Sequence, residues 1–562
     1  PFQEFMVRHR AQGPVEGVAY DGIERIEVDG LEGDDEFTVL STSPGTLVTL
    51  IGGAGSDRFD VTAELASPVL IEGGTTGARP LAQGRILPTE IDTALGEVIV
   101  PNDPALDTDT LRILDTAATT ARTGTLGFIS GAQAQALAVI YGTAPIRSDV
   151  GQLSGLGATA ALSVDFGTTR APDVRTFAAG VSFREIEIVD VLLGQGDDTF
   201  TVTEAVLGTL TVVQGGGGSD RLTVLDAGGP TRPVVLFGDS SQDGLAYAPG
   251  ARFVPVGGFV AGDDTLDARL ASGAVVLYGG AGDDRLLGSG FGDWLAGGSG
   301  DDVLEGFAGA DILLGDDGFN LDLTRRLSLI DAGLAAGGAR QGLLVTSLPS
   351  AQDDLRFSDG LQTGNDILRG GDGIDVLVGD HGRVDQLPGH DRLYDTGALA
   401  QIVSTVVAEG GEDDLDGGAG DDVMIGGAGA DVITDRAGAS VVFGDSGRIL
   451  LATSDANGSL ALSLVETTSA ASGGNDRITT GDLSDIIVGG AGADLIQAGD
   501  GTNMIFGDGG RFDFTGVLRD HAGPGDNVDP SDLDRAELAA AIDAALQDAA
   551  WRDDLLARVV EP

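Results

Sequence analysis

From Gly279 to Leu314 the chain reads GGAGDDRLL, GSGFGDWLA, GGSGDDVLE, GFAGADILL, four consecutive nonapeptides that set Asp284, Asp293, Asp302 and Asp311 nine residues apart. The period recurs further on. Asp413, Asp422 and Asp431 form a second set with Ser440 in the next equivalent place, Asp476, Asp485 and Asp494 a third followed by Asn503, and Asp366 with Asp375 a shorter one. Glycine at the first, second and fourth positions, as at Gly297, Gly298 and Gly300, permits positive φ and lets backbone approach an ion closely. Such a turn exposes carbonyl oxygens, and the aspartate at position six adds a carboxylate. Hard Ca²⁺ takes six to eight such oxygens, whereas Mg²⁺ demands a stricter octahedron and keeps its waters. A three-residue strand follows each aspartate, and its middle apolar residue, read as Leu304, Ile312 or Val423, is expected to point inward. One Gly-Asp turn merely ends a strand. A dozen in phase, each followed by an apolar residue, point to ion ligation.

These residues fit the pattern G-G-x-G-x-D-x-U-x, and the chain here resembles the RTX, or hemolysin-type calcium-binding, family over roughly residues 262–515. The resemblance implies an all-β fold, a parallel β-roll or β-solenoid in which two nonapeptides close one 18-residue coil. Asp284 and Asp302 would then share one edge and Asp293 and Asp311 the other, with multiple Ca²⁺ ions between neighbouring coils. The expected metal-binding residues are Asp284, Asp293, Asp302, Asp311, Asp366, Asp375, Asp413, Asp422, Asp431, Asp476, Asp485 and Asp494.

Composition agrees with a narrow, cation-dependent structure. Glycine accounts for 91 of 562 residues while hydrophobic residues hold at 42%, which excludes collagen and ordinary disorder. Aromatics are only 5%, so Leu, Ile and Val must fill the core. A net charge of −56 repels nucleic acid and anionic lipid and opposes compaction unless cations neutralise it. Lysine is absent from the sequence, and the cysteine count of 0 rules out disulfides and thiolate metal sites. No apolar run is long enough to span a bilayer as a helix, and no basic-then-apolar leader opens the sequence. Because it starts at Pro1 rather than Met, the chain reads as a processed product or a segment of something longer.

Outside the nonapeptides the sequence divides into an N-terminal β-solenoid over 1–260, the repeat roll in four blocks with inserted loops over 261–515, and a helical segment over 516–562. In the first part, Ile23–Val39 (IERIEVDGLEGDDEFTV) recurs as Ile186–Val202 (IEIVDVLLGQGDDTFTV), and GGAGSDRF at Gly52 as GGGGSDRL at Gly215, both offset by 163. That constant offset implies a duplicated unit, with alternating Ile, Val and Phe marking strands. Asp35, Asp57, Asp198 and Asp220 look isolated from in-phase neighbours, and calcium there stays open. A larger period overlies the nonapeptides: Asp316, Asp380, Asp445 and Asp508 follow Gly in LGDDGF, VGDHGR, FGDSGR and FGDGGR at intervals of 64, 65 and 63. After the first three the phase breaks into excursions. Every block holds an even number of nonapeptides, so all three excursions should leave one edge. The excursion at Arg448–Glu466 carries apolar-alternating arms around an Asn-Gly turn and is expected to form a hairpin within a lateral β layer. FGDSSQDG at Phe237 is a degenerate relative of the same motif.

The last forty residues offer Asp529 as N-cap, Pro530 at the first helical position and Leu538, Ile542 and Leu546 at helical spacing. They suit a cap on the solenoid end or a type I secretion signal of the kind RTX proteins carry. Catalysis has little support. His9, His381, His390 and His521 are scattered and neither H-E-x-x-H nor G-x-S-x-G is present. His381 and His390 near Asp380 and Asp391 read as surface loop residues rather than a zinc site. The acid pairs Asp283–Asp284 and Asp421–Asp422 repeat with the turn, so ion ligation explains them better than a glycosidase pair. The expected function is a non-enzymatic, calcium-binding extracellular β-solenoid: stalk, adhesin segment or surface-layer component on a bacterial surface, folding on Ca²⁺ after export. The alternative is the folding and type I secretion module of a larger secreted enzyme or toxin. Calcium ions are the expected partner, with self-association or a cell-surface partner open, and neither nucleic acid nor membrane insertion is expected.

Overall fold

A computed structural model describes residues 3–9, 16–20, 22–31, 33–74, 109–240, 245–247, 255–257, 261–316, 327–331, 343–347, 362–386, 396–397, 399–453, 460–469 and 471–514. The helix expected over 516–562 and His390 and His521 lie outside these residues. The chain divides into two compact units, Pro1–Val276 with Asn320–Ser358, and Leu277–Phe319 with Asp359–Pro562.

In the second unit, successive strands of three or six residues alternate between two parallel sheets, as the nonapeptide period requires. Arg285–Leu287, Val303–Ala308, Ile367–Asp372, Asp414–Ala419, Val432–Thr434, Arg477–Thr479 and Leu495–Gln497 stack in register in one sheet. Trp294–Ser299, Ile312–Leu314, Val376–Val378, Val423–Ile425, Val441–Phe443, Ile486–Val488 and Met504–Phe506 stack in the other. One side chain per strand points between the sheets. Leu286, Leu295, Leu304, Leu313, Leu377, Met424, Ile433, Val442, Ile478 and Ile487 are each 0% exposed, so a column of aliphatic residues forms the centre of the core, with Ile312, Leu314, Val376, Val378 and Phe443 of the second sheet buried beside it. This confirms Leu304 and corrects two assignments. Ile312 and Val423 open their strands, and the inward positions are Leu313 and Met424, two residues after the aspartate.

The first unit is built alike on a longer coil. Most of its strands run four to six residues, and neighbours such as Glu36 and Arg58, or Thr199 and Arg221, pair 22 residues apart. Two extra residues per strand widen the coil, and Phe37, Phe59, Phe183 and Phe200 fill it. Parallel order is interrupted twice: an antiparallel hairpin of Gln3–His9 and Glu16–Tyr20 pairs with Asp35–Val39, and the Gly151–Gly155 strand lies antiparallel between Thr123–Phe128 and Val181–Arg184. One feature escaped the strand-only reading of this region. Gly131–Tyr141 is an α-helix, capped by the Ser130 side chain, which accepts from the Gln133 N–H, and ended by Gly142 at φ 78°. Its Ala134 and Leu137 pack with Leu47, Leu70 and Phe177.

The excursions follow the even-count expectation. Those after Asp316, Asp380 and Asp445 all leave the same edge, because each lies between a strand of the second sheet named above and the next strand of the first. Two of them supply four strands of a lateral antiparallel layer, Gly382–Gln386, Leu399–Ser404, Gly447–Thr453 and Leu460–Thr467, and Arg511–Asp513 is the fifth, in that order. The hairpin expected at Arg448–Glu466 is its centre. Ile402, Ile449, Val465 and Phe512 form one directly opposed row, all buried.

Candidate metal centre

The nonapeptide turn works through two glycine roles. Gly298 and Gly300 take φ 115° and 127°, which an L-side chain rarely adopts. At Gly297 the need is space: an added Cβ would collide with Asp302 Oδ2 and with the carbonyl oxygen of Gly315, one coil further on. The same juxtaposition of a position-six carboxylate oxygen with a glycine carbonyl of the next coil recurs at Gly279, Gly306, Gly426 and Gly489.

The twelve aspartates expected from the sequence fall into two ladders, one per edge. On the first edge each backbone N–H donates to Oδ1 of the next aspartate: Asp284 to Asp302 (2.7 Å), Asp302 to Asp366 (2.8 Å), Asp366 to Asp413 (2.8 Å), Asp413 to Asp431 (2.9 Å), Asp431 to Asp476 (2.9 Å) and Asp476 to Asp494 (3.1 Å). On the second, Asp293 donates to Asp311 (2.7 Å), Asp311 to Asp375 (2.8 Å) and Asp375 to Asp422 (2.9 Å). That ladder continues from Asp422 to Ser440 Oγ (2.9 Å), Ser440 to Asp485 (3.0 Å) and Asp485 to Asn503 Oδ1 (2.9 Å). Ser440 and Asn503 thus keep the rung without its charge. Asp293 differs from the rest, since its carboxylate accepts from both the N–H and the hydroxyl of Ser289, which stands where a second glycine is usual.

The other oxygen of these side chains carries the site. Oδ2 of Asp302, Asp311, Asp366, Asp375, Asp413, Asp422, Asp431, Asp476 and Asp485 is buried and accepts no hydrogen bond. A buried carboxylate oxygen without a donor is costly. Burial first, then neighbouring carboxylates, pushes Asp302 and Asp366 far above the usual range. Burial likewise raises Asp431 to about 9, Asp413 to about 8, Asp311 to about 8 and Asp422 to about 7. Among the described residues no three His, Cys, Asp or Glu side chains gather as a side-chain cage. The donor set is instead glycine carbonyls plus one carboxylate per turn, all hard oxygen, and it fits Ca²⁺.

Two things escaped the sequence reading. Asp35, Asp57, Asp198 and Asp220 are not isolated: Asp35 N–H donates to Asp57 (2.8 Å), Asp57 to Asp109 (2.7 Å), Asp198 to Asp220 (2.6 Å) and Asp220 to Asp264 (2.6 Å). Their phase is the 22-residue coil and its insertions, which a search at nine residues passes over. The second is the part played by the Gly-Asp motif. Asp316, Asp380 and Asp445 occupy position two of a nonapeptide whose remaining residues come after the excursion. Asp316 Oδ1 accepts the Gly364 N–H (2.8 Å), Asp380 Oδ1 that of Gly411 (2.8 Å) and Asp445 Oδ1 that of Gly474 (3.0 Å), always at position four. Each carboxylate therefore clasps the two ends of its insertion. Asp239 in FGDSSQDG, buried like the others, precedes an excursion that returns at Gly262. His381, expected in a surface loop, is instead buried beside Asp380, because the Gly-Asp turn packs into the roll.

The family model for the RTX calcium-binding nonapeptide repeat matches residues 261–293, 287–321, 362–383, 405–433, 425–448 and 479–511. No curated protein matches the chain. With the matched segments holding every rung of the two ladders in the second unit except Asp476, the chain is one that carries RTX calcium-binding nonapeptide repeats.

Proposed function

We propose that this chain is a calcium-stiffened, extracellular structural β-solenoid, a stalk or adhesin segment or surface-layer component, that folds on Ca²⁺ binding after export. One observation carries the reading: nine buried carboxylate oxygens without hydrogen-bond donors, repeated along both edges of the roll. Such a row keeps its charge only beside cations, so the ordered state belongs where calcium is plentiful, outside the cell. The repetition also favours a structural over a catalytic role, since no single rung differs from its neighbours in the way an active site does. RTX repeat proteins are typically secreted, which supports the location.

Circular dichroism during Ca²⁺ titration and EDTA chelation tests the proposal, with light scattering reporting assembly. The β signal of a chain spanning residues 262–515 is expected to collapse on chelation and return with Ca²⁺. An unchanged signal after complete chelation overturns it.

A further inference from the structure

We infer that Asp435 supplies the carboxylate of a further Ca²⁺ site on the second edge of the roll, at a turn where the repeat pattern leaves none. The turn Asp435–Ser440 (DRAGAS) departs from the nonapeptide at both ends, with aspartate at position one for glycine and serine at position six for aspartate. Read by position six alone, it holds no ion. Neighbouring turns of the same edge show where a side chain at position one is directed. At Gly370 an added Cβ would lie 2.5 Å from Asp375 Oδ2 and 2.7 Å from the carbonyl oxygen of Gly417, which is position one of the next coil. Gly288 and Gly306 are placed alike. A position-one side chain therefore enters the space between the carboxylate and the carbonyl that make up the donor set. The inference deepens the calcium reading and rests on it: the ion is the same, and the residue that holds it comes from the other end of the turn.

Ser440 leaves that space open, because its side chain ends at Oγ. It still keeps the ladder, with Oγ accepting the Asp422 N–H at 2.9 Å and its own N–H donating to Asp485 Oδ1 at 3.0 Å. Asp435 keeps the strand register, its N–H donating to the Thr479 carbonyl at 2.8 Å. Its side chain has the marks of the position-six aspartates. The residue is 2% exposed, and neither Oδ1 nor Oδ2 accepts a hydrogen bond. Burial first, then the charge of Asp485 in the next coil, raises its pKa, while the Ser440 hydroxyl and the N–H groups of Arg436 and Ala437 favour its charged form without reaching hydrogen-bond geometry. Asp435 also adds to the burial and the Asp375 charge that raise Asp422, in the coil before. Its carboxylate thus lies between the Asp422 and Asp485 coils. Arg436 does not neutralise it, since that guanidinium is exposed and bonds Asp416. Two buried carboxylate oxygens without donors are costlier than the single one at each regular rung, and a hard cation is the partner they lack. Thr480 and Ala498 also stand at position one on this edge, but neither brings a charge, so of the three only Asp435 makes the exchange.

Native mass spectrometry of the full chain in Ca²⁺ counts the bound ions, with circular dichroism in the same buffer as a separate check on folding. Asp435→Asn is expected to bind one Ca²⁺ fewer than the wild type, because the amide retains the shape and removes the charge. Asp435→Gly combined with Ser440→Asp rebuilds the regular turn and should return the count to the wild-type number, whereas Asp435→Gly alone stays one ion short. A folded Asp435→Asn chain that loads as many ions as the wild type overturns the inference, and so does a folded double variant that stays one ion short. Should Asp435→Asn fail to fold in Ca²⁺, the double variant decides: recovery of fold and count supports the site, and failure of both overturns it. A wild type that binds no Ca²⁺ would sink the calcium reading itself.

Discussion

Position six in the nonapeptide asks two different things of one carboxylate. Oδ1 accepts a backbone N–H from the preceding coil, and Oδ2 is held without a donor beside a glycine carbonyl. The chain itself separates these tasks. Asn503 keeps the Oδ1 rung, accepting from Asp485 at 2.9 Å, and brings no charge. Asp302→Asn is therefore expected to lower calcium affinity while making the calcium-free roll more stable, because it removes a buried charge and retains the acceptor. Calcium titration and chemical denaturation in EDTA check the two halves. A variant less stable in both states would refute the division of labour. The row of aspartates was legible in the sequence wherever the spacing stayed at nine, but the Oδ1 rung was not, since it depends on which coil stacks on which. The row was hidden at Asp35 and Asp57, where strands two residues longer stretch the period to 22 and break the visual rhythm without breaking the ladder.

At the level of elements, the excursions are insertions into a turn and not replacements of coils. Gly315 and Asp316 begin a nonapeptide that Thr363, Gly364, Asn365 and Asp366 complete, and Gly315 lies against Asp366 as Gly297 lies against Asp302. Deleting residues 317–362 joins the halves into one continuous repeat. The shortened chain is expected to keep its calcium-dependent β signal with the same midpoint. Asp316→Ala in the intact chain should cost about 1–3 kcal/mol, since it orphans the Gly364 N–H, measured by denaturation in Ca²⁺. A shortened chain that fails to fold in Ca²⁺ would show that the excursion props up the roll. The hairpin and its layer were legible because Asn-Gly between alternating apolar arms is a strong local signal. The helix at Gly131–Tyr141 was not, as its Ala- and Gln-rich run carries a weak periodicity and only Ser130 and Gly142 announce its ends.

For the whole molecule, charge decides when the fold exists. In the unfolded chain the carboxylates titrate near their ordinary value of 3.8, whereas burial holds Asp413 at about 8 and Asp431 at about 9 in the roll. A raised folded-state value means protonation favours folding. Without calcium, the contribution of these groups is fully present below about pH 4 and is lost as pH rises through about 8 to 9. The metal-free chain is thus expected to hold its β signal at about pH 5 and lose it at about pH 9, with Ca²⁺ abolishing the difference; circular dichroism across that range checks it. A metal-free chain more stable at the alkaline end would reverse the sign and refute the account. The net charge of −56 announced a need for cations, but where the repulsion concentrates depends on stacking, which composition does not disclose.

The excursions of the second unit all leave one edge, and the other edge runs from Asp293 to Asn503 with its turns unbroken. Mechanically the two edges are unequal members. The unbroken one is a continuous load path in which each coil hands tension to the next through the same short link, while the interrupted one resembles a seam with pockets sewn into it. Cargo on that seam can be lengthened, shortened or exchanged without touching the member that carries the pull.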